Sequence, residues 1–228
     1  MKRLLDITIS TIALLLFLPF GLIIALVLRF TGEGEIFYLQ TRVGLFGRHF
    51  KIIKFVTMLK DSPNLGTGTV TVKDDPRVLP FGKFLRKAKL NEVPQFINVL
   101  RGDMSLVGPR PMALRDFGYY SPEIQKRLVS VKPGLTGIGS IVFRDEESIM
   151  AKSSKSNLDC YREDIISYKG RLELWYIENQ SLWIDIRLLF LTAVVIVAPR
   201  NMFYKKLIKH TSIPQNINSF VPHLIETV

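Results

Sequence analysis

The chain has 228 residues, 47% of them hydrophobic, and 31 Lys+Arg against 20 Asp+Glu give a formal net charge of +11. So apolar a chain is not disordered, and a single cysteine, Cys160, excludes an intramolecular disulfide framework and a cysteine-rich zinc site. Excess positive charge on a greasy chain suits either nucleic acid or an anionic membrane surface, and the placement of the apolar residues decides between them.

From Ile12 to Leu28 the sequence IALLLFLPFGLIIALVL runs 17 residues without a charge, preceded by Lys2, Arg3 and Asp6 and closed by Arg29. A straight transmembrane helix needs ~20 residues, so this run sits at the short edge. Pro19 and Gly21 lie in its middle. Proline removes a backbone donor and clashes with the carbonyl four residues back, which predicts a kink or break there. Two half-helices entering and leaving by one face satisfy both the length and the break. A single span, a buried soluble helix and a cleaved signal peptide are the competing readings. In both membrane cases the flanking basic residues favour the cytoplasmic side. The rest of the chain is too polar for repeated spans.

Residues 36–58 alternate loosely around the GLFG of 44–47, which predicts a β-hairpin. Residues 61–76 read as a polar surface loop. One helix is predicted over 81–89 and another from Asn91 or Glu92 to about Leu100. The stretch GDMSLVGPRP (102–111) reads as turn and loop from its two glycines and two prolines. A helix over Pro122–Val129 ends at KPG (132–134). Within the polar segment 144–170 a helix is predicted from Leu158 to Tyr168. Residues 172–198 are helical in pattern, and their apolar tail, 188–198, is too short to span. That tail is either a buried helix or lies in the membrane interface. Basic residues cluster without acids: five over 42–60, five over 77–89, and Arg200, Lys205, Lys206 and Lys209 near the end.

The densest region for chemistry is 75–111. Asn91 is a good helix N-cap residue, and Pro94 is tolerated in a first turn. Glu92 would then sit where the helix dipole favours negative charge, with Arg86, Lys87 and Lys89 holding it ionised. A surface acid complementing a dipole is the bland alternative. Arg110 presents a planar fork suited to phosphate, and Pro109 and Pro111 fix its backbone; a structural clamp with Asp103 is the alternative. Lys54 is a further candidate phosphate contact. His49, His210 and His223 are scattered without metal-ligand spacing, and no nucleophile elbow, P-loop or dinucleotide fingerprint is present. Residues 66–70, GTGTV, are glycine-poor for a phosphate cradle, and Cys160 has no activating partner in the pattern.

Over about Lys2 to Thr192 the chain resembles the monotopic phosphoglycosyl transferases, or bacterial sugar transferases. The pieces that carry the likeness are KRLLD (2–6), RVG (42–44), KF (54–55), DPRV (75–78), NEVPQ (91–95), NVLRGDMSLVGPRP (98–111), VKPGLTG (131–137) and YIENQSLWIDIRLL (176–189). The resemblance implies a bacterial enzyme on the cytoplasmic face of the inner membrane, at the first membrane step of surface-glycan assembly. It implies transfer of a sugar-1-phosphate from a UDP-sugar to a polyprenol (undecaprenyl) phosphate, with release of UMP and help from Mg²⁺. Membrane lipids are then partners and nucleic acid is not; a homo-oligomer stays open.

One departure matters. Where the family has an Asp-Glu pair whose Asp is the nucleophile, this chain has Asn91-Glu92, and an amide cannot attack phosphorus. Three options follow: Glu92 is the nucleophile, transfer is direct with Glu92 as metal ligand or base, or the chain is a catalytically impaired scaffold that binds polyprenol phosphate. Two smaller departures are Val56, where the family often has Arg, and Leu18, where a Ser often precedes the helix-breaking Pro19. By the same resemblance Lys2, Arg3 and Asp6 anchor at the headgroup boundary.

The expected architecture is an α+β monotopic membrane protein: a re-entrant helix hairpin (1–35), a small cytoplasmic domain with a β-hairpin and interfacial helices (36–200), and a tail (201–228). The expected site is Glu92, also the metal ligand, with Asn91 beside it. Arg110, Lys54, Arg77 and Arg86 are the phosphate contacts, in falling order.

Overall fold

In the computed structural model the N-terminal apolar run folds as one helix, α1 (Lys2–Phe30), with Pro19 inside it. Residues 1–197 are described, apart from Thr69 and Asp145; the tail 201–228 with its basic cluster, His210 and His223 lies outside the described residues. The two half-helices expected from Pro19 are therefore not separate elements. Proline deletes a single i→i−4 bond, and the strong helix formers on both sides carry the helix across the gap. At 1.5 Å per residue α1 is about 44 Å long. Only 11% of its most apolar 18-residue window is buried, so α1 is not packed as a core helix of this chain. Leu15, Leu16, Phe20, Leu22 and Leu26 all stand exposed, a continuous apolar face that water does not tolerate.

The rest is a mixed α and β arrangement. Strands β1 (Phe37–Val43) and β2 (His49–Phe55) form the expected antiparallel hairpin, paired from Phe37↔Phe55 to Val43↔His49. Then come α2 (Pro80–Lys87), a 3₁₀ turn (Leu90–Glu92), α3 (Gln95–Arg101), β3 (Ser105–Val107), α4 (Leu114–Phe117), α5 (Pro122–Leu128) and β4 (Gly134–Thr136). They are followed by α6 (Ile138–Val142), α7 (Glu146–Lys152), α8 (Asn157–Asp159), a π-helical stretch (Cys160–Ile165), α9 (Ile166–Asn179) and α10 (Leu182–Val197). The Ser121 hydroxyl caps α5 by accepting from the Ile124 N–H. Leu106, Val107, Ile138, Leu172 and Tyr176 anchor the main core.

Three sequence expectations are corrected here. The 102–111 stretch holds a strand, β3, which pairs in parallel with β4, Ser105 opposite Gly134 and Val107 opposite Thr136. A Cβ at Gly134 would sit 2.1 Å from the Gly108 nitrogen, so glycine is what lets these backbones meet. Asn91 caps no helix: it lies in the 3₁₀ turn, and the residue preceding α3 is Pro94. Residues 172–198 split into α9 and α10 at Gln180 and Ser181.

Both ends of α1 are fastened to the same body. Asp6, buried, accepts from the Ser105 hydroxyl at 3.0 Å and the Leu106 N–H at 2.9 Å. Lys2 donates to the Val107 carbonyl at 2.9 Å, to the Tyr176 hydroxyl at 3.0 Å and to Asp185 at 2.6 Å. Arg3 donates to the Val99 and Leu100 carbonyls, closing the C-terminal end of α3. These three residues were expected at lipid headgroups; their partners are protein atoms. At the far end Ile24 and Leu28 pack with Phe55 and Leu85, and the Phe17 ring lies 6.4 Å from that of Phe55. Along α10, Leu188, Leu191 and Val195 are buried while Trp183, Ile186 and Phe190 are exposed.

Arg77 is a structural staple. Nη1 donates to the carbonyls of Ser62, Leu65 and Gly68 and Nη2 to that of Val70, while Nε and Nη2 grip Asp75 at 2.9 and 2.6 Å. Both side chains are buried. Its donors are consumed by the loop, so the expected phosphate role for Arg77 is corrected to one of holding residues 62–70. Replacing Arg77 with Ala leaves the Asp75 charge buried and unpaired, which costs about 3–5 kcal/mol. The expected outcome is a lowered thermal midpoint with the 62–70 loop newly open to protease, and Asp75→Asn, on the other side of the same pair, should be milder.

Candidate active site

Lys54, near the end of β2, and Arg110, after β3, converge on Glu92. Glu92 Oε1 accepts from Lys54 Nζ at 2.9 Å and from Arg110 Nη2 at 2.9 Å. Thus the two leading phosphate candidates and the candidate catalytic acid, taken from three separate stretches of chain, meet on one oxygen atom. The Glu92 side chain is 18% exposed and that of Arg110 35%, so the cluster opens to solvent on the Arg110 side.

Local backbone explains the placement. Lys89 adopts a left-handed conformation (φ 58°), which reverses the chain after α2 and delivers Leu90–Glu92 as a tight turn. Asn98, fully buried, ties α3 to the hairpin: its amide donates to the Lys51 carbonyl at 2.8 Å and accepts from the Ile53 N–H at 3.0 Å. That bond sets the backbone one residue before Lys54. Asp103 supports the same amide, accepting from Asn98 at 3.2 Å. The alternative Asp103–Arg110 clamp is therefore not what forms. Sequence reasoning passed over Asn98; the signal available was a polar residue amid the apolar positions of a short helix.

Electrostatics follow from the geometry. Burial alone would raise the Glu92 carboxyl, but Arg110, Lys54 and Lys89 outweigh it and hold the group well below the usual carboxylate range. Of the three basic residues expected to keep Glu92 ionised, Lys89 is thus the one that does so. Burial lowers the Lys54 ammonium to about 8, with repulsion from Arg110 and Arg42 acting the same way and Glu92 opposing. Arg42 donates to the Pro111 carbonyl and to Gln40. Three cations (Lys54, Lys89 and Arg110) act on one carboxylate, and Arg42 lies near enough to repel Lys54 and Arg110. Such an excess suits an anion carrying several charges. Arg86 is placed elsewhere, paired with Glu147 at 3.0 Å.

Asn91 is buried, and its Oδ1 takes no hydrogen bond among the described residues. Among the described residues no three His, Cys, Asp or Glu side chains group together. A magnesium ion can bind through a single carboxylate together with substrate phosphates, and Glu92 is the carboxylate of this cluster. Held below the usual range, it is a poor proton acceptor near pH 7, which disfavours a role as general base.

A family described as bacterial sugar transferase matches residues 1–199. The chain is 38% identical over 195 residues to the UDP-glucose:undecaprenyl-phosphate glucose-1-phosphate transferase of Escherichia coli (strain K12), covering 84% of this chain and 39% of that one. It is 34% identical over 207 residues to the undecaprenyl-phosphate glucose phosphotransferase of Komagataeibacter xylinus, covering 89% of this chain and 37% of that one. To the exopolysaccharide production protein ExoY of Rhizobium meliloti it is 32% identical over 218 residues, covering 89% and 88%. It therefore spans well under half the length of the first two and most of the third.

The cation cluster makes a direct prediction. Binding of inorganic pyrophosphate, measured by calorimetry on protein in nanodiscs, should weaken as pH rises through about 8 and Lys54 loses its proton. A Lys54→Arg variant, whose guanidinium stays charged, should carry binding to higher pH; an unchanged profile would remove Lys54 from the anion site.

Proposed function

The chain belongs to the bacterial sugar transferase family, and from that premise we propose that it moves a sugar-1-phosphate from a UDP-sugar to undecaprenyl phosphate, releasing UMP. The observation that carries this is the pair of cations shared on Glu92 Oε1. An incoming diphosphate competes for Lys54 and Arg110, and as they turn to phosphate oxygens the carboxylate is released beside the phosphorus it is to meet. Phosphoryl transfer needs chiefly this positioning and charge stabilisation. Glu92 then attacks the β-phosphorus, the bond to the bridging oxygen breaks, and UMP leaves. An oxygen of undecaprenyl phosphate attacks the same phosphorus, the acyl-phosphate bond breaks, and the undecaprenyl-diphospho-sugar departs with Glu92 regenerated. Mg²⁺, held by the diphosphate and Glu92, would supply further charge neutralisation. Asn91 completes the buried turn that presents Glu92.

We also propose the membrane arrangement. Because Lys2, Arg3 and Asp6 at one end of α1 and Ile24 and Leu28 at the other all pack on one body, α1 is read as monotopic and re-entrant. It bends at Pro19, where a backbone bond is missing, and dips into the leaflet from the cytoplasmic face. A single span would place its two ends on opposite sides of the bilayer. The exposed Trp183, Ile186 and Phe190 of α10 then lie at the interface, within reach of a lipid substrate.

The test is UMP release by the purified protein in lipid with undecaprenyl phosphate, Mg²⁺ and a panel of UDP-sugars, UDP-glucose first because two of the relatives are named for glucose transfer. Release with at least one sugar is expected, falling more than about 100-fold in Glu92→Gln. Lipid binding with no release from any sugar would favour the impaired scaffold, the more so if Asn91→Asp restored turnover.

A further inference from the structure

A second carboxylate lies behind the site and belongs to none of the steps above. Glu173, on α9, is 2% exposed. Its Oε1 accepts from the main-chain N–H of Arg110 at 3.4 Å, and its Oε2 takes no hydrogen bond among the described residues. The Arg110 N–H is unusual in its surroundings. Pro109 and Pro111 flank it, and proline has no N–H, so the triplet carries one main-chain donor in all. Glu173 takes that donor.

Room for the carboxylate is built into the chain. A Cβ on Gly139 would fall 2.4 Å from Glu173 Oε1, and one on Gly137 would lie 3.7 Å from Oε2. The same face of α9 also holds the preceding strand, since Tyr176, one turn on, donates to the Val107 carbonyl at 3.1 Å. Asp6 and Lys2 fix Leu106 and Val107 from the other side, and Arg42 holds the Pro111 carbonyl. Leu106, Val107 and Pro111 are thereby tied down, and Glu173 supplies the tie at Arg110 itself.

Resting on the transfer reaction proposed above, we infer that Glu173 is a positioning residue: by taking the one main-chain N–H of the Pro109–Arg110–Pro111 bend it aims the Arg110 guanidinium at Glu92 and at the phosphate that displaces Glu92. Burial raises the Glu173 carboxyl to about 7, against the Arg110 N–H, Lys169 and Arg110 charges. The groups around it are Lys169 and Tyr176 on α9, Arg110 in the loop, Tyr120 after α4, and Glu146 of α7, which pairs with Lys169. From α5 the nearest contribution to this face of α9 is the apolar Ile124. Ionised Glu173 is the stronger acceptor, so positioning improves as pH rises through about 7.

The experiment compares wild type, Glu173→Gln and Glu173→Leu as full chains in nanodiscs, reading kcat and KM for the UDP-sugar across pH 6–8 (about the range that brackets this ionisation) together with pyrophosphate affinity by calorimetry. Wild-type kcat should climb through about pH 7. Glu173→Gln, which keeps the shape and an acceptor but not the charge, should lose that limb while folding normally, and Glu173→Leu should lose about tenfold in both kcat and pyrophosphate affinity. A Glu173→Gln profile that keeps the limb at wild-type kcat overturns the inference, as does wild-type pyrophosphate affinity in a folded Glu173→Leu. If the wild type releases no UMP at all, the transfer reading fails, and the pyrophosphate arm still decides the role of Glu173.

Discussion

A single carboxylate oxygen, Glu92 Oε1, is where three distant parts of the chain are joined. Lys54 reaches it from the hairpin and Arg110 from the loop after β3, each at 2.9 Å. A shared, half-buried acid of this kind is costly to leave unpaired and weakly stabilising when paired. In the reaction proposed above its value is functional: two cations that would repel each other are kept 2.9 Å from a common anion, preorganised for a phosphate group that would take the same donors. Preorganisation of charge before substrate arrives is what phosphoryl transfer chiefly requires of a protein.

That arrangement depends on the segment from Ser105 to Pro111 being immobile, and the restraints on it come from every side. Asp6 and Lys2 of the apolar helix, Tyr176 and Glu173 of α9, and Arg42 of β1 each hold a main-chain atom of this stretch. The apolar helix is thus part of the scaffold that holds Arg110. Its first turn is bolted to the strand that leads to Arg110, and its last turns pack under β2, which carries Lys54.

Much of this could be read from residues alone. The hairpin, the helix after residue 80 and the apolar run follow from periodicity, turn glycines and charge, and Glu92, Arg110 and Lys54 stand out singly as candidates; their meeting on one oxygen comes from the fold. What was hidden is long-range. Nothing local distinguishes Arg77, whose donors turn inward, from Arg110, whose guanidinium reaches Glu92; only folding shows that the 62–70 carbonyls consume the first. The strand β3 is three residues long, too short for alternation to register, and exists because Gly134 lets β4 approach. Lys2, Arg3 and Asp6 look like headgroup ligands beside an apolar run, yet their partners lie about a hundred residues away. Glu173 and Asn98 are buried polar residues that bond to the distant main chain of Arg110 and of β2.

In the proposed reaction Glu92, freed when phosphate takes Lys54 and Arg110, carries the sugar phosphate between donor and lipid. This role is tested most directly by incubating the protein with a UDP-sugar and no lipid acceptor, quenching, and examining the peptide spanning residues 90–101 by mass spectrometry. A phosphosugar mass on Glu92 is expected, lost in Glu92→Gln and chased off by undecaprenyl phosphate. Steady turnover to the lipid-linked product with no adduct on Glu92, or an adduct on another side chain, would contradict it.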